Sequence, residues 1–168
     1  MNSPIEPALL APPLHEAARL EALHRLELLD TPPSEAFDRI TRMAAQLFNL
    51  PIAAVSLTDS DRQWFKSKVG VEHDAIPRLR APCAEVADTA HVLVVPDLLE
   101  NACFRNSKLA ADGIRFYAGA PLTLPSSLSL GTLCLIDRKP RTLDAMELGI
   151  LRTLRDLVVL ELRNISEV

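Results

Sequence analysis

The sequence predicts an α+β fold, with helices on one face of a mostly antiparallel sheet and irregular chain over the other. Three observations carry this. Apolar residues recur at helical spacing in two stretches before Asn49 and in one long stretch from Leu143 to about Ile165. Between Pro51 and Arg138 the period becomes strand-like. The strand-like runs "PIAAVSLTD" and "RQWFKSKVG" are separated by Ser60 and Asp61 alone, a connection that only antiparallel neighbours can use. At 168 residues and 48% hydrophobic, the chain suits one domain with a substantial core.

In chain order, Pro4, Pro7, Pro12 and Pro13 mark residues 1–13 as a disordered tail, because each proline removes a backbone donor. Order is expected from Leu14, with residues 14–168 as the single domain. "LHEAARLEALHRLELL" is a helix of strong helix formers with a broad leucine face. "DTPPS" ends it and opens a second helix, on which Phe37, Ile40, Ala44 and Leu47 follow at helical spacing. In the second strand the alternation puts Phe65, Ser67 and Val69 on one side and Trp64, Lys66 and Lys68 on the other. A loop from Val71 to Pro82, a short helix around Cys83 to Thr89, a strand "VLVVP" and an aperiodic stretch from Asp97 to Gly113 follow. Two last strands, Arg115 to Leu124 and Leu128 to Arg138, flank Pro125-Ser126-Ser127, and Leu143 to about Ile165 is the final helix.

"RFYAGAPL", residues 115–122, poses the functional question. As a strand it puts Phe116, Ala118, Ala120 and Leu122 on one face, and Arg115 and Tyr117 beside the open space of Gly119 on the other. A ligand above Gly119 would explain the second face. The plainer reading pairs Leu124 with Leu128, which sets Ala118 against Cys134, Tyr117 against Leu135 and Arg115 against Asp137 as a cross-strand ion pair worth about 0.2–1 kcal/mol.

Composition excludes several classes. Eighteen basic and twenty-two acidic residues give a formal charge of −4, with no block of like charge and only one tryptophan, one tyrosine and five phenylalanines. A nucleic-acid partner is not expected. The first basic residue is Arg19 and no apolar run reaches the length of a membrane span, so a cytoplasmic protein without membrane association is expected. Cys83, Cys103 and Cys134 are odd in number and widely spaced, which suits buried thiols rather than disulfides or a metal site. The patterns HExxH, GxSxG and GxxxxGK are absent, and no histidine stands in a pattern that pairs a base with a nucleophile. Neither catalysis nor a cofactor is expected.

The words "LLDTPPSEAFDRITRMAAQLFNLPIAAVSLTDSDRQWFKS", "VVPD", "IRFYAGAPL" and "LGTLCLIDRKPR" resemble a GAF domain, of the subtype at the front of bacterial signalling proteins. The resemblance implies a six-stranded antiparallel sheet, a dimerising bundle of the first and last helices, and a small-molecule pocket between the sheet and its covering segments. It also implies an output domain beyond the last helix, such as a histidine kinase or an enzyme that makes or breaks cyclic di-GMP. The chain departs from the subtype at Pro82, Glu85, Cys103 and Pro125-Ser126-Ser127, mostly on the roof of the implied pocket.

The residues selected for such a pocket are Trp64, Lys66, Cys83, Glu85, Asp97, Arg115 and Tyr117: an aromatic wall, a few orienting charges and a glycine for access. Each has a plainer reading. Trp64 would cover an edge strand, Lys66 and Glu85 would be solvated, Asp97 would cap a turn, and Cys134 would be core. An alternative function is a free methionine-R-sulfoxide reductase working through Cys83 and Cys103, although the neighbours Pro82, Ala84 and Phe104 do not match those enzymes. Ala84 after Cys83 also fails the bilin-attachment pattern, and the NKFDE set of cyclic-nucleotide binders is missing.

Overall fold

Left-handed residues close the first three α-helices. The computed structural model describes residues 5–79 and 81–166. Helix α1 (Ile5–Arg25) ends where Glu27 and Asp30 take positive φ ahead of Pro32 and Pro33. It takes in Pro7, Pro12 and Pro13 from the segment read in the sequence as a tail; Pro7 falls in the first turn, where no intrahelical N–H is needed. Residues 1–4 of that segment lie outside the described residues. Helix α2 (Glu35–Phe48) stops at Asn49, whose left-handed backbone (φ 51°) returns its N–H to the carbonyls of Ala45 and Gln46. Helix α3 (Pro82–Thr89) opens on Pro82 and closes at left-handed Ala90 (φ 56°). A 3-10 turn (Leu98–Glu100), the short α4 (Lys108–Ala111) and the long α5 (Ala145–Ser166) complete the set.

The strands are β1 (Ile52–Thr58), β2 (Arg62–Val69), β3 (Ala75–Pro77), β4 (Leu93–Val95), β5 (Phe116–Thr123) and β6 (Ser129–Asp137). They form one six-stranded sheet in the order β3-β2-β1-β6-β5-β4, with every neighbouring pair antiparallel. The short β3 escaped the residue pattern and was expected only from the resemblance. Every residue of β1 is buried, which explains why "IAAVSLT" does not alternate: both faces of this central strand are covered.

One face carries Ala53, Val55 and Leu57 of β1, Phe116, Ala118, Ala120 and Leu122 of β5, and Leu133 and Leu135 of β6. Against it lie Leu23 of α1, Phe37, Ile40 and Ala44 of α2, and Leu151, Leu154 and Val158 of α5. Each leucine fully buried here contributes about 1.5–3 kcal/mol. The opposite face carries Ile52, Ala54, Tyr117, Cys134 and Ile136, roofed by Cys83 and Val86 of α3 and by Leu98, Phe104, Ala110 and Ile114. The expected division into a helical flank and a roofed flank is therefore present.

Two bulges change the expected registers. In β2, Ser67 pairs with Val55 but Phe65 pairs with Ser56, so Lys66 is the extra residue. Trp64 consequently joins Val69 on the helical face and Phe65 turns to the roof, the reverse of simple alternation. Between β5 and β6, the Leu124 N–H bonds the Leu128 carbonyl as expected. Beyond a shift between Pro121 and Thr123, the pairs become Gly119 with Cys134, Tyr117 with Ile136 and Phe116 with Asp137. The expected pairs Ala118 with Cys134 and Tyr117 with Leu135 are each one residue out. The Arg115–Asp137 ion pair does not form; the two residues share only a backbone bond, Arg115 N to Asp137 O at 3.0 Å.

Candidate functional site

The centre of the roofed face is sealed. Tyr117 is fully buried, and its ring lies across Gly119: a Cβ on that glycine would fall 2.4 Å from Tyr117 Oη and 2.7 Å from Thr132 Cγ2. The space that suggested a ligand is filled by the neighbouring phenol. Tyr117 Oη donates to Cys83 Sγ at 3.0 Å, and Thr132 Oγ1 donates to the Cys83 carbonyl at 3.3 Å. Cys134 lies in the same cluster, its Sγ 3.5 Å from the Ala54 carbonyl oxygen. The hydrogen bond from Cys134, then those from Tyr117 and Ser56, draw the Cys83 thiol below its ordinary pKa against the effect of burial. Burial, with the neighbouring sulfurs, pushes the Tyr117 phenol well up.

Beside this plug the roofed face opens into a cleft of about 430 Å³. Ile52, Ala54 and Ile136 form its floor, Phe65 and Ile76 one wall, and Leu109 and Ile114 the other. Its polar groups are Glu72, His73, Asp112 and Arg138. Arg138 Nη1 donates to the Asp112 carbonyl at 3.3 Å, while the Asp112 carboxylate accepts from Lys108 at 2.9 Å. Gly70 makes the turn that brings Glu72 and His73 here: its φ is 77°, and a Cβ would meet the Pro51 carbonyl oxygen at 2.2 Å.

A second cleft, of about 480 Å³, lies between β2 and the α1–α2 connection. Trp64 and Lys66 line it, so the bulge has carried both away from the roof. Lys66 is only 6% exposed; Nζ donates to Thr31 Oγ1 at 2.9 Å and to the Pro32 carbonyl at 2.8 Å, and sits 5.9 Å from the Phe37 ring centroid. Burial lowers its pKa, with Asp38 opposing. At the rim, Arg62 grips the Asp30 carboxylate with two bonds of 2.9 and 2.8 Å. This arrangement fastens the α1–α2 connection to β2.

The seven selected residues therefore do not converge. Cys83 and Tyr117 share the sealed cluster, and Trp64 and Lys66 share the second cleft. Glu85 is exposed on α3. Asp97 caps the 3-10 turn, accepting from the Leu99 N–H at 3.0 Å. Half-buried Arg115 donates to the carbonyls of Ala110 and Ile114, closing the loop after α4. Sequence reasoning missed Phe65, His73, Leu109, Ile114 and Arg138, which line the open roofed cleft. The usable signal was the apolar pair Ile52, which opens β1, and Ile136, next to last in β6, which needed a cover. Among the described residues no group of three metal-ligating side chains occurs, and no helix is long and apolar enough to cross a membrane.

Comparison with known proteins agrees with this architecture. A cyclic di-GMP phosphodiesterase of Pseudomonas aeruginosa is 37% identical over 131 residues, which cover 77% of this chain and 22% of that protein. The chain thus matches about a fifth of its relative's length. Among solved structures, the GAF domain of the Acinetobacter phosphoenolpyruvate-protein phosphotransferase superposes with a TM-score of 0.64 at 14% identity, covering 90% of this chain and 98% of that one. A type II free methionine-R-sulfoxide reductase from Thermoplasma acidophilum gives 0.62 at 11% identity, covering 77% of this chain and 94% of that one. At such identities the likeness is one of fold. The GAF domain profile matches residues 32–162, and the chain belongs to the GAF domain family.

Proposed function

We propose that this GAF domain serves as the sensory and regulatory module of a signalling protein, binding a small, largely apolar molecule with a polar end in the roofed cleft. The observation that carries the reading is the cleft itself: an apolar floor shared by two central strands, polar groups confined to four side chains, and a volume within the range of small-ligand sites. No thiol lines it, so the site favours binding over chemistry. Cys83 is buried in the plug and Cys103 is exposed, which speaks against the sulfoxide-reductase alternative. Occupancy would be felt by the helices, because the residues alternating with the cleft floor, Ala53 and Leu135, pack in the helical-face core. A ligand shifts that packing only if it binds two arrangements unequally.

The output is proposed by analogy with the cyclic di-GMP phosphodiesterase relative, α5 being the element that would lead to it. Met146, Leu157 and Leu160 are 76%, 41% and 50% exposed and fall on one side of α5, which supports packing against a second copy of the chain. A cytoplasmic setting goes with this role.

The test is native mass spectrometry of the purified protein, followed by thermal shift across a panel of small amphiphilic metabolites, with Leu109→Trp as the cleft-filling variant. A stabilising compound whose effect disappears in L109W supports the reading. No stabilising compound, or a shift that L109W retains, overturns it. Light scattering of native protein against a Leu157→Glu, Leu160→Glu double variant tests the dimer, which fails if the native chain is monomeric at micromolar concentration.

A further inference from the structure

The sealed cluster holds two thiols from distant parts of the chain. Cys83 is the second residue of α3, and Cys134 lies within β6. Three observations place them together. Thr132, two residues before Cys134, donates its hydroxyl to the Cys83 carbonyl at 3.3 Å, so the two backbones face each other closely. Tyr117 Oη touches Cys83 Sγ at 3.0 Å while lying above Gly119, the residue paired with Cys134 across the sheet. Cys83, Tyr117 and Cys134 also pack in one buried cluster, with Cys134 Sγ 3.5 Å from the Ala54 carbonyl oxygen.

We infer that Cys83 and Cys134 form an oxidative modification site, converted by a hydroperoxide into an intramolecular disulfide that fixes the roof to the sheet. Cys83 is the attacking sulfur. It stands in the first turn of α3, where backbone N–H groups favour negative charge, and it accepts the Tyr117 hydroxyl. Its thiolate attacks one oxygen of hydrogen peroxide and the O–O bond breaks. Cys83 becomes a sulfenic acid, and the departing hydroxide takes up the proton the thiol had released, leaving as water. Cys134 Sγ then attacks the sulfenic sulfur; the S–O bond breaks and the leaving hydroxide departs as a second water with the Cys134 proton. The two thiols lose two protons and two electrons, and one peroxide becomes two waters.

Access runs through the roofed cleft. Its floor includes Ala54, the residue paired with Cys134 on β1, so a peroxide-sized molecule there stands one residue from the sulfurs. The inference does not rest on the proposed ligand, since neither sulfur lines the cleft, although a molecule seated there would slow the oxidation.

The experiment uses the full chain carrying Cys103→Ser, which alters an exposed loop residue and leaves the cluster intact. The protein is treated with hydrogen peroxide, thiols are counted after denaturation, and tryptic peptides are mapped without reduction. The expected result is loss of both thiols together and a cross-link between the peptides spanning residues 81–105 and 116–138, reversed by dithiothreitol. Adding Cys134→Ala should abolish the cross-link and leave oxygen adducts on Cys83. Three outcomes overturn the inference: both thiols surviving peroxide that consumes Cys103 in the native chain; Cys83 oxidised in the Cys103→Ser protein without a cross-link; or a disulfide formed with free methionine-R-sulfoxide but not with peroxide.

Discussion

Glu16 on α1 and Arg78, in the segment leading from β3 to α3, form a 2.6 Å ion pair. The same carboxylate binds Arg19 of its own helix at 2.8 Å, and Arg78 reaches on to Asp88 of α3 at 2.9 Å. Arg19 is fully buried and donates to the Thr58 carbonyl at 2.6 Å. The first helix, the β1–β2 turn and the roof are thereby joined through charged groups.

That network makes stability depend on acid. Burial raises the Glu16 pKa, but bonds to Arg19 and Arg78 outweigh it and bring it from 4.5 to about 2. A folded-state value below the unfolded one contributes stability that is full above pH 4.5 and lost as pH falls toward 2. Glu16→Gln should therefore cost about 1 kcal/mol at neutral pH, the full linkage value being discounted for the group's partial exposure. The variant and native curves should converge as the pH is lowered through that window, as read by urea unfolding at a series of pH values. A constant difference at all pH values would show that the carboxylate's charge is not involved.

The packing of Tyr117 over Gly119 makes a sharper expectation. Gly119→Ala places a methyl against the phenol oxygen and Thr132, an overpacking that should cost about 1–3 kcal/mol. Because the nearest atom is Oη, Tyr117→Phe should relieve part of that cost. A double-mutant cycle should return a favourable coupling between the two changes. Strict additivity would mean that the ring does not lie where the glycine leaves room.

Lys66 should tolerate loss of charge far better than its reversal. Lys66→Met removes two hydrogen bonds to neutral acceptors together with a costly buried cation, so a net change within about 1 kcal/mol is expected. Lys66→Glu buries a carboxylate beside Asp38 and the Pro32 carbonyl, and should cost at least about 3 kcal/mol. Trp64, the chain's one tryptophan, lines the same cleft and reports both unfolding transitions by fluorescence. Equal destabilisation by the two variants would contradict the assigned burial.

By itself the sequence determined what local chemistry controls. The break after the first helix followed Pro32 and Pro33, strand identity followed the change of period, and the face shared by Phe116, Ala118, Ala120 and Leu122 followed from alternation, whereas the start of α1 ran on through Pro7, Pro12 and Pro13. Tertiary structure decided the rest. The bulge at Lys66 answers to the cross-strand fit of β1 and β2, and it moved Trp64 and Lys66 to the helical side. The β6 register shift took away the expected partner of Arg115. Whether the space above Gly119 was empty depended on where the Tyr117 side chain came to rest. The roofed cleft draws its lining from segments between Ile52 and Arg138 that meet only when the sheet closes. Short-range preferences are set by each residue and its neighbours along the chain, whereas register, side-chain direction and empty volume are settled by contacts between residues far apart in it.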